Sequence, residues 1–427
     1  MQALNEAKNV LAFILGGGKG SRLWPLTQPR AKPAVPFANY RVIDFVLSNM
    51  YHSGIRKILV LTQYKSYSLH KHLKYGWYSL FGNSKYEFIM TLPASQGYGD
   101  GWYKGTADAI AQNLRFIKEE NPDIVNVFGG DHVFFMDVSQ MNQYLLDKNC
   151  DLVIAAIPVP VSLAAKTYGV LVIDQDWNLT SFEEKPENPT PLPNNPNYCL
   201  ASMGNYAFKP DVLLEELALD LKKETTMDKE LVKQYPDKFS THDFGYDVIP
   251  SMLRHEKKVK KVCVYNFEEN FVPGMAQHYW RDIGNIREYY IASMELLEQQ
   301  ARINIYNQEW PVLTYIETQE PVMVKRSSLE NVLLANGVVV NNSELERSIL
   351  GYGVNVENSQ VKSSILLGYN IVKNAVIKNA IIDRGVEIPE GLTLGIDPDR
   401  DRSLGLLVFE YESLDHAITV VPKGFKF

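Results

Sequence analysis

An α/β domain on a mostly parallel sheet, followed by a left-handed parallel β-helix, is the fold this sequence predicts. Three observations carry it. Short apolar runs alternate with helix-patterned segments from Val10 to about Ser293. The first run stops at Gly16-Gly17-Gly18. From about Ser328 to Leu394, aliphatic side chains recur every five to six residues.

Val10–Leu15 is bounded by glycines and apolar throughout, the pattern of a strand buried on both faces. Further strands are expected at Lys57–Thr62, 124–128, 151–157, Gly169–Ile173 and 260–265. Between them, 106–120 places Ile110, Leu114 and Ile117 at helical spacing behind Thr106 as N-cap. Residues 285–300 read as another helix, with Asn285 offering a cap. Strands separated by helices require right-handed crossovers and give a Rossmann-like sheet covered on both faces. Ligands of such sheets sit at the carboxyl ends of the strands. That rule puts 16–22 and Gly129-Gly130-Asp131 on one edge.

Residues 302–325, with Pro311 and Pro321, are irregular and read as a linker. Beyond them come Leu333, Val339, Leu345, Leu350, Val356, Val361, Leu366, Ile371, Val376, Ile382, Ile388 and Leu394. This period is too long for a helix face and too regular for a sandwich. It fits a hexapeptide repeat, in which short strands turn corners and stack their aliphatics coil upon coil. Asn and Gly between them tolerate left-handed corners. The predicted division is 1–300, a linker at 301–325, and a β-helix at 326–427.

With 427 residues, 45% hydrophobic and 22% charged, the chain has the composition of a soluble globular protein. Its net charge of −7 leaves no basic stripe for a nucleic-acid backbone. No apolar run approaches a membrane span, and the N-terminus lacks a signal-peptide pattern. Cys150, Cys199 and Cys263 are odd in number and widely spaced. They are expected as buried, reduced thiols in a cytoplasmic protein.

Gly16-Gly17-Gly18 lets backbone N–H groups approach an anion, with Arg22, Arg30 and Lys32 close behind. A Walker A loop is excluded because Gly20-Ser21 is followed by Arg22. The dinucleotide fingerprint is excluded because position 21 is Ser. Asp131, at a strand end beside this loop, suits Mg²⁺, which takes one or two carboxylates plus substrate phosphates. Asp282, in Tyr279-Trp-Arg-Asp282-Ile-Gly284, is a second candidate ligand, unless it caps the following helix. Glu184-Lys185-Pro186 pairs a carboxylate suited to sugar hydroxyls with a cation suited to a phosphate. Along an extended chain the two point to opposite sides, so a twist or bulge is needed to aim both into one pocket. Ser202 lies in a small-residue turn. His132, His242 and His278 show no metal-ligand spacing and are expected in core or surface roles.

The stretches 15–23, 30–35, 41–49, 102–108, 130–132, 184–186, 201–204, 243–245 and 279–284 together resemble the glucose-1-phosphate adenylyltransferases of bacterial glycogen synthesis. The resemblance covers nearly the whole chain. It implies that ATP and glucose 1-phosphate are joined into ADP-glucose with release of pyrophosphate. Gly16, Gly17 and Gly18 would approach the nucleotide, with Arg22 and Lys32 on its phosphates and Asp131 and Asp282 on Mg²⁺. Lys185 would hold the sugar phosphate, while Tyr103, Gly169, Glu184 and Ser202 shape the sugar site. Gln63, Trp102 and Gly105 fall on segments expected against ATP. A homotetramer and a phosphorylated effector, bound near Arg30 and Arg41, are also implied. Pro29 and Pro36 depart from the family pattern there, which leaves the effector open. An acyltransferase reading of the β-helix lacks its base: from 328 onward the only histidine is His416, beyond the repeats. Another nucleotide or sugar phosphate, or a non-catalytic subunit, are the alternative readings.

Overall fold

The computed structural model describes residues 9–81, 84–95, 101–254, 260–298 and 301–427. A nine-stranded sheet organises the first part of the chain. Its strands are β1 (Val10–Leu15), β2 (Lys57–Thr62), β3 (Phe88–Pro93), β4 (Ile124–Gly129) and β5 (Leu152–Pro160). They continue with β6 (Gly169–Ile173), β7 (Leu179–Glu184), β8 (Tyr198–Phe208) and β9 (Val262–Asn266). β1 lies between β2 and β4, parallel to both, and β3 runs parallel outside β2. Leu11, Ala12, Phe13 and Ile14 are all fully buried, as a strand covered on both faces requires.

The other half is mixed. β8 runs antiparallel to β4, β5 and β6, and β7 returns antiparallel on β6. The connection from β6 to β7 is too short for the crossover that parallel pairing needs. Between Ser202 and Tyr206 the pairing of β8 slips, and this irregular stretch faces the cavity described below.

The expected 106–120 helix is two: Thr106–Ala111 and Leu114–Glu120. Asn113 Nδ2 donates to the Ala109 carbonyl at 2.8 Å, competing with the helical ladder at the break. Gly105, not Thr106, occupies the cap position, and the Thr106 hydroxyl instead donates to Asp243 Oδ2 at 2.9 Å. The later helix is Ile286–Glu295, and Asn285 Oδ1 caps it by accepting from the Glu288 N–H at 3.0 Å. Positions 299–300 lie outside the described residues.

From Met323 onward the chain winds into a parallel β-helix. Met323, Val339, Asn355, Ile371 and Glu387 pair in succession on one face. Ser328, Glu344, Gln360 and Val376 do so on the next, and Ile349, Ile365 and Ile381 on the third. Three strands per coil account for the five-to-six-residue spacing. The inward residue is one place later than expected at three sites: Val340, Val372 and Ile377 are buried, whereas Ile371 is exposed. Asn342, Asn358 and Asn374 hold left-handed corners at φ 47°, 49° and 49°. Serines stack inside the turn, Ser343 Oγ accepting from the Ser359 N–H and Ser359 Oγ from the Ala375 N–H.

The segment before the coils is stitched to the first part of the chain. Trp310 Nε1 donates to Asn49 Oδ1, the Leu313 N–H to Ser48 Oγ, and Thr314 Oγ1 to Asp44 Oδ2. One apolar cluster contains Phe37 and Tyr289 together with Ile349, Ile365 and Ile381 of the coils.

The thiol expectation needs correction. Cys150 and Cys263 are joined in a disulfide with their Cα atoms 6.1 Å apart, and only Cys199 stays free. Parallel pairing of β9 with β5 brings the two together across 113 residues, a contact that sequence spacing does not reveal. Among the described residues no helix is long and apolar enough to cross a membrane.

Candidate active site

The carboxyl ends of β1 and β4 meet at one edge, as the sheet rule requires. Beyond β4 the chain reverses through Gly130-Asp131 into a short strand, His132–Phe134, which pairs antiparallel with Trp280–Asp282. In that register Asp282 lies directly opposite His132. Two acids far apart in sequence thereby converge. Lys32 Nζ donates to Asp131 Oδ2 at 2.7 Å and to Asp282 Oδ1 at 3.2 Å. Burial alone would lower the Lys32 ammonium, but the two carboxylates hold it charged and raise it. Burial likewise pushes Asp131 up, yet Lys32 and then His132 hold its carboxyl well below the usual range.

A cavity of about 570 Å³ opens in front of this cluster. Gly17, Gly18, Gln63, Tyr103 and Gly105 line one end, and Gly169, Glu184, Lys185 and Ser202 the other, with Asp131 and Asp282 between. Gln63 Oε1 accepts from the Tyr103 N–H, tying the loop after β2 to the 103–105 segment. Gly105 is obligatory by close approach, since a Cβ there would lie 2.2 Å from the His242 carbonyl oxygen. At Lys185 the backbone turns left-handed, φ 49°. This is the twist that an extended Glu184-Lys185 lacks: both now face the cavity, and Lys185 Nζ stands 3.3 Å from Glu184 Oε1. Burial pushes the Glu184 carboxyl up, with Asp243 adding to it and Lys185 opposing.

The comparisons agree with this geometry. Residues 11–299 match the nucleotidyl transferase family, and 318–421 the GlmU-like C-terminal hexapeptide family. Glucose-1-phosphate adenylyltransferase of Thermus thermophilus is 42% identical, over 98% of this chain and 99% of its own. That of Geobacter metallireducens is 41% identical, over 95% of this chain and 96% of its own. The corresponding protein of Photobacterium profundum is 40% identical over 98% of each. The chain belongs to the glucose-1-phosphate adenylyltransferase family.

Six residues singled out from the sequence lie outside the cavity wall. Gly16 gives its N–H to the Leu61 carbonyl at 2.8 Å, so this amide serves the sheet rather than an anion. Lys32 sits behind the two acids. Arg22 is exposed, with Nη1 3.9 Å from where a Cβ on Gly284 would stand, next to Asp282. Trp102 is 60% exposed. Arg30 is buried and bidentate on Asp383 of the β-helix at 2.7 and 3.0 Å, with a third bond to the Leu26 carbonyl. In this structure Arg30 is a buried clamp between the sheet domain and the β-helix. Arg41 borders a small crevice with Tyr40, Glu317, Tyr352 and Arg384 where the two domains meet. Burial, with the neighbouring Arg30 and Arg384, lowers its guanidinium to about 10.

Sequence reasoning also missed residues of this adenylyltransferase-family site. His132, expected in a core or surface role, lines the cavity within 4.8 Å of Asp131 and Asp282. Its position opposite Asp282 on a paired strand is the missing signal. Tyr168 and Trp280 form a tilted aromatic pair, 5.4 Å between centroids, on the same wall. His242 and His278 are structural as expected, bonded to Asp220 and to the Asn270 carbonyl.

Proposed function

We propose that the chain transfers the adenylyl group of ATP to glucose 1-phosphate, releasing pyrophosphate and ADP-glucose for α-glucan (glycogen) synthesis in the cytoplasm. The observation that carries this reading is the convergence of Asp131 and Asp282 on Lys32, facing a cavity whose opposite end carries Glu184 and Lys185. Gly17 and Gly18 would admit the nucleotide, with Gln63 fixing the Tyr103–Gly105 wall and Trp102 at its rim. Arg22 would face the phosphates, Lys32 would act on them through the two acids it holds, and Lys185 would meet the phosphate of the sugar. Glu184, Ser202, Tyr103 and the bare backbone at Gly169 would bound the hexose.

A phosphate oxygen of glucose 1-phosphate attacks the α-phosphorus in line, and the bond to the bridging oxygen of pyrophosphate breaks. The nucleophile is already an anion, so no general base is required. The barrier is repulsion between polyanions, which positioned cations lower. The donor set fits Mg²⁺: Asp282 offers a carboxylate from one strand of the ribbon, and Asp131 another from the bend just before the paired strand. When bound there, the ion would neutralise charge developing on the α-phosphate.

The first coil supports the homotetramer reading. Met323–Lys325 is an edge strand exposed along its length, with Met323 at 46% and Val324 at 43%. For a phosphorylated effector, the crevice at the domain junction offers Arg41, and beside it Arg384, which an anion would have to take from Glu317 at 2.7 Å. The division into 1–300, 301–325 and 326–427 is part of the same proposal. A pyrophosphate-release assay crossing four nucleoside triphosphates with several sugar 1-phosphates, with and without Mg²⁺, tests it. ATP with glucose 1-phosphate should be the best pair and metal-dependent. Release with every pair but that one would refute the assignment.

A further inference from the structure

His132 is placed unlike any other described histidine of this chain. Six others each hold a ring nitrogen 2.6–2.9 Å from a protein partner: His52, His70, His72, His242, His278 and His416. The ring of His132 has no such anchor. Packing fixes it instead, edge-on to Trp280 with centroids 5.4 Å apart. A Cβ on Gly129 would approach its Cε1 to 3.5 Å, and one on Gly204 to 3.8 Å, so two glycines leave it room.

Its Nδ1 is buried without a hydrogen-bond partner. Its Nε2 faces the two acids, 3.5 Å from Asp131 Oδ1 and 3.8 Å from Asp282 Oδ1. A neutral imidazole carries one N–H. With the proton on Nδ1, that N–H has no acceptor, and the Nε2 lone pair points at two carboxylates already shared with the Lys32 ammonium, a repulsion that a further cation among the three would remove. With the proton on Nε2, both acceptors are beyond good hydrogen-bond reach and the buried Nδ1 lone pair has nothing to accept. Separations of 3.5 and 3.8 Å are those of donors sharing one ion, not of donors bonded to each other. Lys32 takes Asp131 Oδ2 and Asp282 Oδ1, so beside His132 the free carboxylate oxygen is Asp131 Oδ1, and Asp282 would turn its other oxygen to an ion.

We propose that His132 is a third protein ligand of the divalent ion, making the site two carboxylates and one imidazole, and that it biases the site toward Mn²⁺ over Mg²⁺. This rests on the reading of Asp131 and Asp282 as metal ligands. Magnesium keeps to oxygen donors, whereas an imidazole nitrogen adds affinity for first-row transition ions. His132 therefore sets which metal is held, while the acids set whether one is.

The test uses full-length protein with Mn²⁺ as the probe and no nucleotide. Electron spin-echo modulation of bound Mn²⁺ should show a directly coordinated imidazole ¹⁴N in the wild type and lose it in His132→Asn. Titration of free Mn²⁺ should show at least about a tenfold weaker site in His132→Asn, with Mg²⁺ competition changed by less than about threefold. The thermal unfolding temperature in chelator should fall only slightly, since the ring makes no hydrogen bond and loses only its edge contact with Trp280. A wild type without nitrogen modulation, or equal weakening for both metals, overturns the assignment of His132. Unaltered Mn²⁺ binding in Asp131→Asn/Asp282→Asn would instead overturn the metal centre on which it rests.

Discussion

Replacing Lys185 by alanine should separate binding from chemistry. Its ammonium is about half exposed, 3.3 Å from Glu184, at the end of the cavity away from Gly17 and Gly18. It would meet the sugar phosphate as a point charge in ground state and transition state alike. A hydrogen bond to a charged group contributes about 1.5–3 kcal/mol, and half-exposure puts this one at the low end. The expected result is a roughly tenfold to thirtyfold rise in KM for glucose 1-phosphate, with kcat changed by less than about threefold. Asp131→Ala acts where charge develops, so kcat should fall about 10²–10³-fold with KM little altered. Lys32 keeps Asp282 at 3.2 Å in that variant, so the site is not left with an unpaired buried cation. Steady-state pyrophosphate release, varying each substrate in turn, gives both constants. The same pattern of loss in the two variants would refute the division of labour.

Other expectations follow from the scaffold. Asp383→Ala strands the buried Arg30 guanidinium, which should cost about 3–5 kcal/mol in urea unfolding; less than 1 kcal/mol would mean the clamp is unimportant. Asp44 is fully buried and accepts from Arg41 N, His72, Trp77 and Thr314. Burial pushes its carboxyl up, but His72 and these bonds outweigh that and hold it low. The unfolded chain therefore takes up this proton at the higher pH. The contribution is complete above about pH 4 and is lost as pH falls through the folded value. Asp44→Asn should lower stability at neutral pH and flatten the acid limb, as urea melts between pH 3 and 7 would record. Gly105→Ala drives a methyl into the His242 carbonyl, so both activity and melting temperature should drop.

Much of this was legible in the chain because local pattern and final environment agree. Val10–Leu15, Lys57–Thr62 and Gly169–Ile173 form strands with the expected bounds, each an apolar run closed by a turn. The β-helix was legible because one small unit repeats, although the inward register at 339, 371 and 376 slips by one where neighbouring residues are both aliphatic. What stayed hidden depends on pairing between distant segments. Strand register sets His132 opposite Asp282, parallel pairing joins Cys150 to Cys263, and domain docking turns Arg30 toward Asp383. No local signal marks these partners. The left-handed backbone at Lys185 was equally silent, since a Lys at such an angle is set by its surroundings.

A double-mutant cycle on the two acids tests the central claim most directly. If Asp131 and Asp282 serve a single ion, either Asn substitution already removes that service. Each should then lower kcat about 10²–10³-fold, and the double variant should fall within about threefold of the weaker single. Independent roles predict losses that multiply, to about 10⁴–10⁶-fold, and that result would contradict the shared site.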